Sequence, residues 1–186
     1  MNFLDDIFDK KYSDEVSDIL RNETYWNTTN VANRFSWPYQ LKGSHLLMGA
    51  DIFNRIDNYK YEYHQNKQFA FSLIDAFHQI ASSFNKKLNL KKIVANLQLK
   101  GMDGTLHIDG DDNTTVYIYM LCDDYVDSDI GGEFYNETLQ QTVPFRHGRV
   151  IEMKASNLHC GKSFNKQNTC RFSIKFEGEN INEEVH

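Results

Sequence analysis

His107 and Asp109 stand one residue apart in Leu106-His107-Ile108-Asp109, and His159 comes 52 positions after His107 in Asn157-Leu158-His159-Cys160-Gly161. Side chains alternate along an extended chain, so residues i and i+2 present their donors to the same side. Two imidazoles and one carboxylate are the protein's half of a facial triad for non-haem Fe(II). That set leaves coordination positions open for a cosubstrate and O2. The interval to His159 is long enough for the chain to return on another strand. These residues predict an oxygen-activating iron centre.

His-x-Asp alone is a weak pattern, and it gains weight from residues nearer the C-terminus. Arg171 and Ser173 lie in Thr169-Cys170-Arg171-Phe172-Ser173-Ile174-Lys175-Phe176. In a strand they share one face, with Phe172, Ile174 and Phe176 on the other. A guanidinium fork binds a carboxylate through two hydrogen bonds, and a hydroxyl adds a third. Such a grip suits the far end of a dicarboxylate cosubstrate.

The elements that must position these groups read as helices first and strands afterwards. Ser13 is expected to N-cap a short helix with Asp14 and Glu15 in its first turn and Val16, Ile19 and Leu20 on its apolar face. Phe69, Leu73, Phe77, Ile80 and Phe84 form a helical stripe within about Gln68 to Asn85, read as core. A weaker helix is expected from Ser44 to Ile56, and a loop around Phe35 to Tyr39, since Pro38 disfavours helix before it. From about Lys92 the chain turns to strands: Ile93 to Leu99, Leu106 to Asp109, Val116 to Leu121, Arg149 to Met153 and Arg171 to Phe176. Gly101, Gly104 and Gly131-Gly132 turn the chain between them. Val116 to Leu121 is a nearly unbroken apolar run, as in a strand covered on both faces. Short strands with turn signals between them predict a sandwich or jelly roll, with the helices against one outer face.

At 186 residues, 40% hydrophobic and 13% aromatic, the chain suits one globular domain. No apolar run approaches the roughly 20 residues of a membrane helix. Met1 to Asp6 is acidic and lacks the basic-then-apolar pattern of a secretory signal. Cys122, Cys160 and Cys170 are an odd number without framework spacing, so a cytoplasmic setting is expected. A formal net charge of −6 disfavours nucleic acid as a partner.

With these motifs in place the sequence resembles the Fe(II)/2-oxoglutarate dioxygenases, especially the prolyl 4-hydroxylase-like branch, over roughly residues 92–178. The order His107-x-Asp109, His159, Arg171-x-Ser173 carries the likeness. Tyr119 to Tyr125, Gly131-Gly132-Glu133-Phe134, Pro144 through Gly148-Arg149-Val150, and Gly101 extend it. The resemblance implies a mainly β fold with N-terminal helices: a double-stranded β-helix of the jelly-roll, cupin-like type. Residues 1–186 would form one domain, 1–91 a mainly helical support and 92–178 the barrel core. It implies that His107, Asp109 and His159 bind iron, that Arg171 pairs with the distal carboxylate of 2-oxoglutarate, and that Ser173 assists. O2 would take the remaining position, with ascorbate as a supporting reductant. The outcome would be hydroxylation of a C–H bond, with 2-oxoglutarate leaving as succinate; a carboxylate at Asp109 favours that over halogenation.

The sequence departs from many relatives where tyrosines commonly help to hold 2-oxoglutarate. Gln98 stands at one such position, and Met120-Leu121-Cys122 replaces a Tyr-Leu-Asn. Gln98 and Tyr119, or Tyr117, are the candidates to supply those contacts. For substrate, the resemblance favours a prolyl or other residue in a protein or peptide. A free amino acid or other metabolite comes next, a nucleic-acid base third. The aromatic-rich stretches Trp26 to Tyr39, Tyr59 to Lys67 and Cys122 to Ile130 are expected to form the substrate rim. The non-enzymatic alternative is a cupin-like metal-binding module without turnover.

Other residues receive plainer readings. Asp109 to Asn113 superficially suggests a calcium loop, but Thr114 and Met120 stand where an EF-hand needs glycine and glutamate. Asp111 and Asp112 are then solvated loop charges. His147 is a rival distal ligand, placed in a turn with no Arg-x-Ser at suitable spacing after it. Arg146 and Arg149 read as turn and surface charges, Cys160 as packing, Glu133 as structural.

Overall fold

The computed structural model describes residues 1–31, 46–57, 60–122 and 130–181. In chain order its elements are β1 (Asn2–Leu4), α1 (Lys10–Asn22), β2 (Asn27–Val31), β3 (Leu46–Arg55), β4 (Tyr61–Tyr63), α2 (Lys67–Ser83), β5 (Leu88–Gln98), β6 (Thr114–Cys122), β7 (Phe134–Asn136), β8 (Gln141–Val143), β9 (Val150–Lys154), β10 (His159–Gly161) and β11 (Arg171–Asn180). One eight-stranded antiparallel sheet runs β1-β9-β6-β11-β5-β3-β2, with β4 beside β3, and β10-β7-β8 form a three-stranded sheet. This is the expected mainly β, jelly-roll arrangement.

β6 is the wall between two cores, and all nine of its residues are buried. Tyr117, Tyr119 and Leu121 face the helices and join Leu20, Phe77, Ile80, Ile93, Phe172, Ile174 and Phe176. Val116, Ile118 and Met120 face the smaller sheet and join Phe134, Val143, Ile151 and Met153. β11 alternates more visibly. With Phe172, Ile174 and Phe176 on the helix side, Arg171, Ser173, Lys175 and Glu177 line the space between the sheets.

α2 obeys its stripe: Phe69, Leu73, Phe77 and Ile80 are buried, and the Asn66 side chain caps the helix by accepting from Phe69 N at 3.0 Å. Phe77 reaches β11 where the register shifts at Glu177/Gly178; a Cβ on Gly178 would lie 2.8 Å from its ring. Close approach of α2 to the sheet therefore requires glycine there.

Three local expectations need correction. Asp9, not Ser13, caps α1 by accepting from Tyr12 N at 2.7 Å. A carboxylate suits the positive end of a helix, and Ser13 becomes a buried residue whose hydroxyl bonds the Tyr119 hydroxyl at 2.7 Å. Ser44 to Ile56 is not helical where described, because Leu46–Arg55 pairs as β3 with β2, β4 and β5. A bulge between Asp51 and Phe53 buries both Ile52 and Phe53, which hides the strand's alternation. Leu106 to Asp109 is irregular chain with a single bridge, His107 to His159. The Phe35 to Tyr39 loop lies outside the described residues.

β1 is fastened to the large sheet by Arg149. Its Nε and Nη2 donate to Asp5 Oδ1 and Oδ2 at 2.7 and 2.9 Å, and Arg146 adds a bond to Asp5 at 2.8 Å. Arg146 is half exposed, as a turn charge should be, whereas the Arg149 side chain is only 11% exposed and serves as a clasp. The bond from Arg149 outweighs burial and holds the Asp5 carboxyl below its ordinary pKa. A depressed folded-state pKa adds stability above the unfolded value and loses it as pH falls through the folded one. Thermal denaturation monitored by circular dichroism should therefore show wild type losing more stability than Asp5→Asn from neutral pH to about pH 3. The expected difference is about 1 kcal/mol or less.

Candidate active site

His107 and His159 are joined through their backbones. His107 N donates to His159 O at 3.0 Å, and His159 N to His107 O at 2.9 Å. Gly104 N bonds Gly161 O and Asp109 N bonds Ala155 O, so the irregular segment is laid along β10. Rigid backbone thus places the ligands even though no regular strand carries the first two.

Ligand atoms of His107, Asp109 and His159 lie within 4.8 Å of one another. Both imidazoles use the same local device. His107 Nδ1 is 2.8 Å from Thr105 O and His159 Nδ1 is 2.8 Å from Asn157 O. A carbonyl at Nδ1 requires its proton there, which makes Nε2 the lone-pair donor. The rings are 4.4 Å apart between centroids, and Phe134 stacks on His159 at 5.2 Å.

Asp109 divides its two oxygens. Oδ1 accepts from Lys175 Nζ at 2.6 Å. Oδ2 is buried, lies 3.4 Å from His159 Nε2 and has no hydrogen-bond partner. Burial opposes ionisation of Asp109, but the Lys175 ammonium beside it leads the opposing interactions, and the carboxyl is held far below the usual carboxylate range. A charged, unpartnered buried oxygen beside His159 Nε2, with His107 Nε2 3.8 Å from the other carboxylate oxygen, suits a cation, so the residues present fit Fe(II).

The second half of the site is built around Arg171, whose side chain is fully buried. Nε donates to Gly132 O at 3.0 Å and Nη1 to Gln98 Oε1 at 2.6 Å, while Nη2 has no partner. Burial lowers its pKa to about 10 against the pull of Glu133 and Asp103, so the charge persists at neutral pH. Gly161 lies against the guanidinium, where a Cβ would stand 3.4 Å from both Nη atoms. Gly161 is two residues beyond His159 on β10 and shares its face, a separation of roughly 7 Å. A five-carbon dicarboxylate can lie between the guanidinium and the metal ligands. Ser173 is next after Arg171 on the same face, opposite Asn96 and Met120. The unpartnered Nη2 fits one end of 2-oxoglutarate.

The other expected contacts fall elsewhere. Gln98 lies beside Arg171, but its amide hydrogens go to Met102 O and Gly161 O at 2.7 and 3.1 Å. It braces the guanidinium and has no donor left for a cosubstrate. Tyr119 faces the helices, bonded to Ser13 and 5.4 Å from the Phe8 ring, so strand parity removes it from the site. Tyr117 shares that face and meets Phe84. His147 accepts from Cys122 N and lies 3.3 Å from Asp14, outside the triad. Trp26 stacks on Phe172 and bonds Leu20 O, a core position rather than a rim. Residues 32–39, 59 and 123–129 of the expected rim are outside the described residues. Cys160 is buried packing, and Asp111 and Asp112 serve local turn and surface contacts.

Lys175 is the site residue that the motifs do not flag. It occupies the next position but one after Ser173 on the inward face of β11, so the alternation that groups Arg171 with Ser173 extends to it.

No protein-family model matches the sequence, and no curated protein matches it. Solved structures do. An oxidoreductase of the 2OG-Fe(II) oxygenase family from Burkholderia pseudomallei gives a TM-score of 0.70 at 14% identity, covering 97% of this chain and 85% of that one. A prolyl hydroxylase from Trichoplax adhaerens, in complex with a hypoxia inducible factor oxygen degradation domain peptide fragment, gives 0.63 at 14% identity, covering 96% and 83%. HygX from Streptomyces hygroscopicus, with nickel and 2-oxoglutarate bound, gives 0.60 at 9% identity, covering 97% and 82%. The chain therefore has the fold of the 2OG-Fe(II) oxygenases and prolyl hydroxylases. At these identities the likeness is one of fold, and function rests on the site itself.

Proposed function

We propose that this chain is an Fe(II)- and 2-oxoglutarate-dependent dioxygenase that hydroxylates a C–H bond, with residues 1–186 acting as one domain. The convergence of His107, Asp109 and His159 within 4.8 Å carries the reading. Arg171, buried with an unpartnered Nη2, selects a carboxylate cosubstrate and argues against a metal-binding module without turnover.

His107 Nε2, His159 Nε2 and Asp109 Oδ2 would hold the metal. Arg171 binds and orients the distal carboxylate of 2-oxoglutarate, with Ser173 beside it and Gln98 fixing the guanidinium plane. Val116, Ile118, Met120 and Phe134 line the interior with apolar surface that excludes water. When bound, Fe(II) supplies the oxygen chemistry: one atom of O2 goes to the substrate C–H bond and the other to succinate, with CO2 released.

A prolyl or other residue in a protein or peptide is the substrate we favour, supported by the peptide bound to the Trichoplax protein of the same fold. An odd number of cysteines without framework spacing, at 122, 160 and 170, suits a cytoplasmic setting. Among the described residues no helix is long and apolar enough to cross a membrane.

The test is mass spectrometry of a peptide library and of a host metabolite extract, each incubated with protein, Fe(II), 2-oxoglutarate and O2. A peptide gaining one oxygen atom, dependent on both cofactors, supports the favoured reading. A hydroxylated metabolite instead would move the substrate to the small-molecule class. Absence of succinate in every incubation would refute the enzyme.

A further inference from the structure

Lys175 has no place in the ligand set, yet its ammonium is the group closest to Asp109. Nζ lies 2.6 Å from Asp109 Oδ1 and 2.9 Å from Glu177 Oε1. Lys175 and Glu177 stand two apart on the inward face of β11, and their side chains are only 18% and 10% exposed. Glu177 therefore holds the ammonium from the strand's own side, whatever occupies the site. Oδ2, the oxygen that Lys175 leaves alone, is the one that faces His159 without a partner.

Resting on the dioxygenase reading, we infer that Lys175 is a positioning residue that restricts Asp109 to one-oxygen ligation of the metal and so keeps a coordination position for 2-oxoglutarate. A carboxylate with both oxygens free is able to chelate a divalent ion through both, and the second oxygen then takes a position the cosubstrate needs. The latch formed by Lys175 and Glu177 denies Oδ1 to the metal. The charges agree with this arrangement. Asp109 and Glu177 flank Lys175, and Arg171 stands farther along the same face of β11, so a divalent ion and a dicarboxylate each meet a group of opposite charge.

Two variants separate the latch from the charge. Lys175→Met removes both the latch and one positive charge. Lys175→Met with Glu177→Gln removes the latch but keeps the net charge of the wild type, and leaves Asp109 to be neutralised by the added metal. Mn(II) affinity and anaerobic 2-oxoglutarate affinity are measured by calorimetry, and the metal environment by the ligand-field spectrum of the Co(II)-loaded protein. In both variants Mn(II) should bind as tightly as in wild type or more tightly, which also shows that the triad is assembled. The Co(II) spectrum should change before any cosubstrate is added, and 2-oxoglutarate should bind at least about tenfold more weakly. A double variant with the wild-type spectrum and wild-type 2-oxoglutarate affinity would overturn the latch. Loss of Mn(II) binding in both variants would overturn it as well, since Lys175 would then be holding the triad together. Wild-type protein that binds neither Mn(II) nor 2-oxoglutarate would instead overturn the dioxygenase reading on which the inference stands.

Discussion

His159→Ala is expected to abolish Fe(II)-dependent conversion of 2-oxoglutarate to succinate and to weaken divalent-metal binding about a hundredfold or more. Outer-shell partners of metal ligands are already worth roughly 10–100-fold, and His159 is placed as a ligand itself. Its ring is nearly fully buried, oriented by Asn157 O through Nδ1 and stacked on Phe134. Among the described residues none replaces its Nε2: His147 accepts from Cys122 N and lies 3.3 Å from Asp14 on the helix side. His107→Ala should behave similarly, its Nδ1 being fixed by Thr105 O in the same manner. Succinate formation and a metal titration measure the two effects separately. Full turnover in either variant would mean that the three residues do not hold the iron.

Arg171→Met has the second large effect, and a different one. Truncating one partner of a buried, hydrogen-bonded charge pair costs about 2–5 kcal/mol, which corresponds to a rise of roughly 30-fold or more in the 2-oxoglutarate requirement. Metal affinity should remain close to wild type, because the guanidinium makes no contact with the ligand residues. The contrast is the diagnostic: His159 variants lose metal, Arg171 variants lose cosubstrate. An unchanged 2-oxoglutarate requirement in Arg171→Met would put the carboxylate grip elsewhere in the interior.

How far the sequence carried depended on whether a residue's role was set along the chain or across it. His107, Asp109, His159 and Arg171 were legible from type and spacing, and the structure brings the first three together as expected. The strand expected for Leu106 to Asp109 is absent, because the backbone of this segment runs along β10 through isolated bonds and one bridge. Gln98 was placed correctly but given the wrong task. Its pairing opposite Arg171 in the β5–β11 register directs its oxygen to the guanidinium and its hydrogens to carbonyls, and that register is not written in either segment alone. Tyr119 was decidable from parity: it shares a face with Tyr117 and Leu121, away from Met120. β3 was misread because its bulge turns two successive apolar residues inward. Lys175 and Glu177 lie within reach of the same parity rule, extended two and four residues past Ser173 along β11.

The two hydrogen bonds exchanged by His107 and His159 make the metal ligands their own clock. Each amide proton points at the other residue's carbonyl, so the bridge cannot open without the ligands moving apart. Solvent exchange at these two amides and dissolution of the ligand set are then one opening event, read in the same experiment. Any ion that grips both imidazoles must slow that exchange at both positions by the same factor. Occupancy of the centre is thus recorded in the backbone, independently of what is oxidised there.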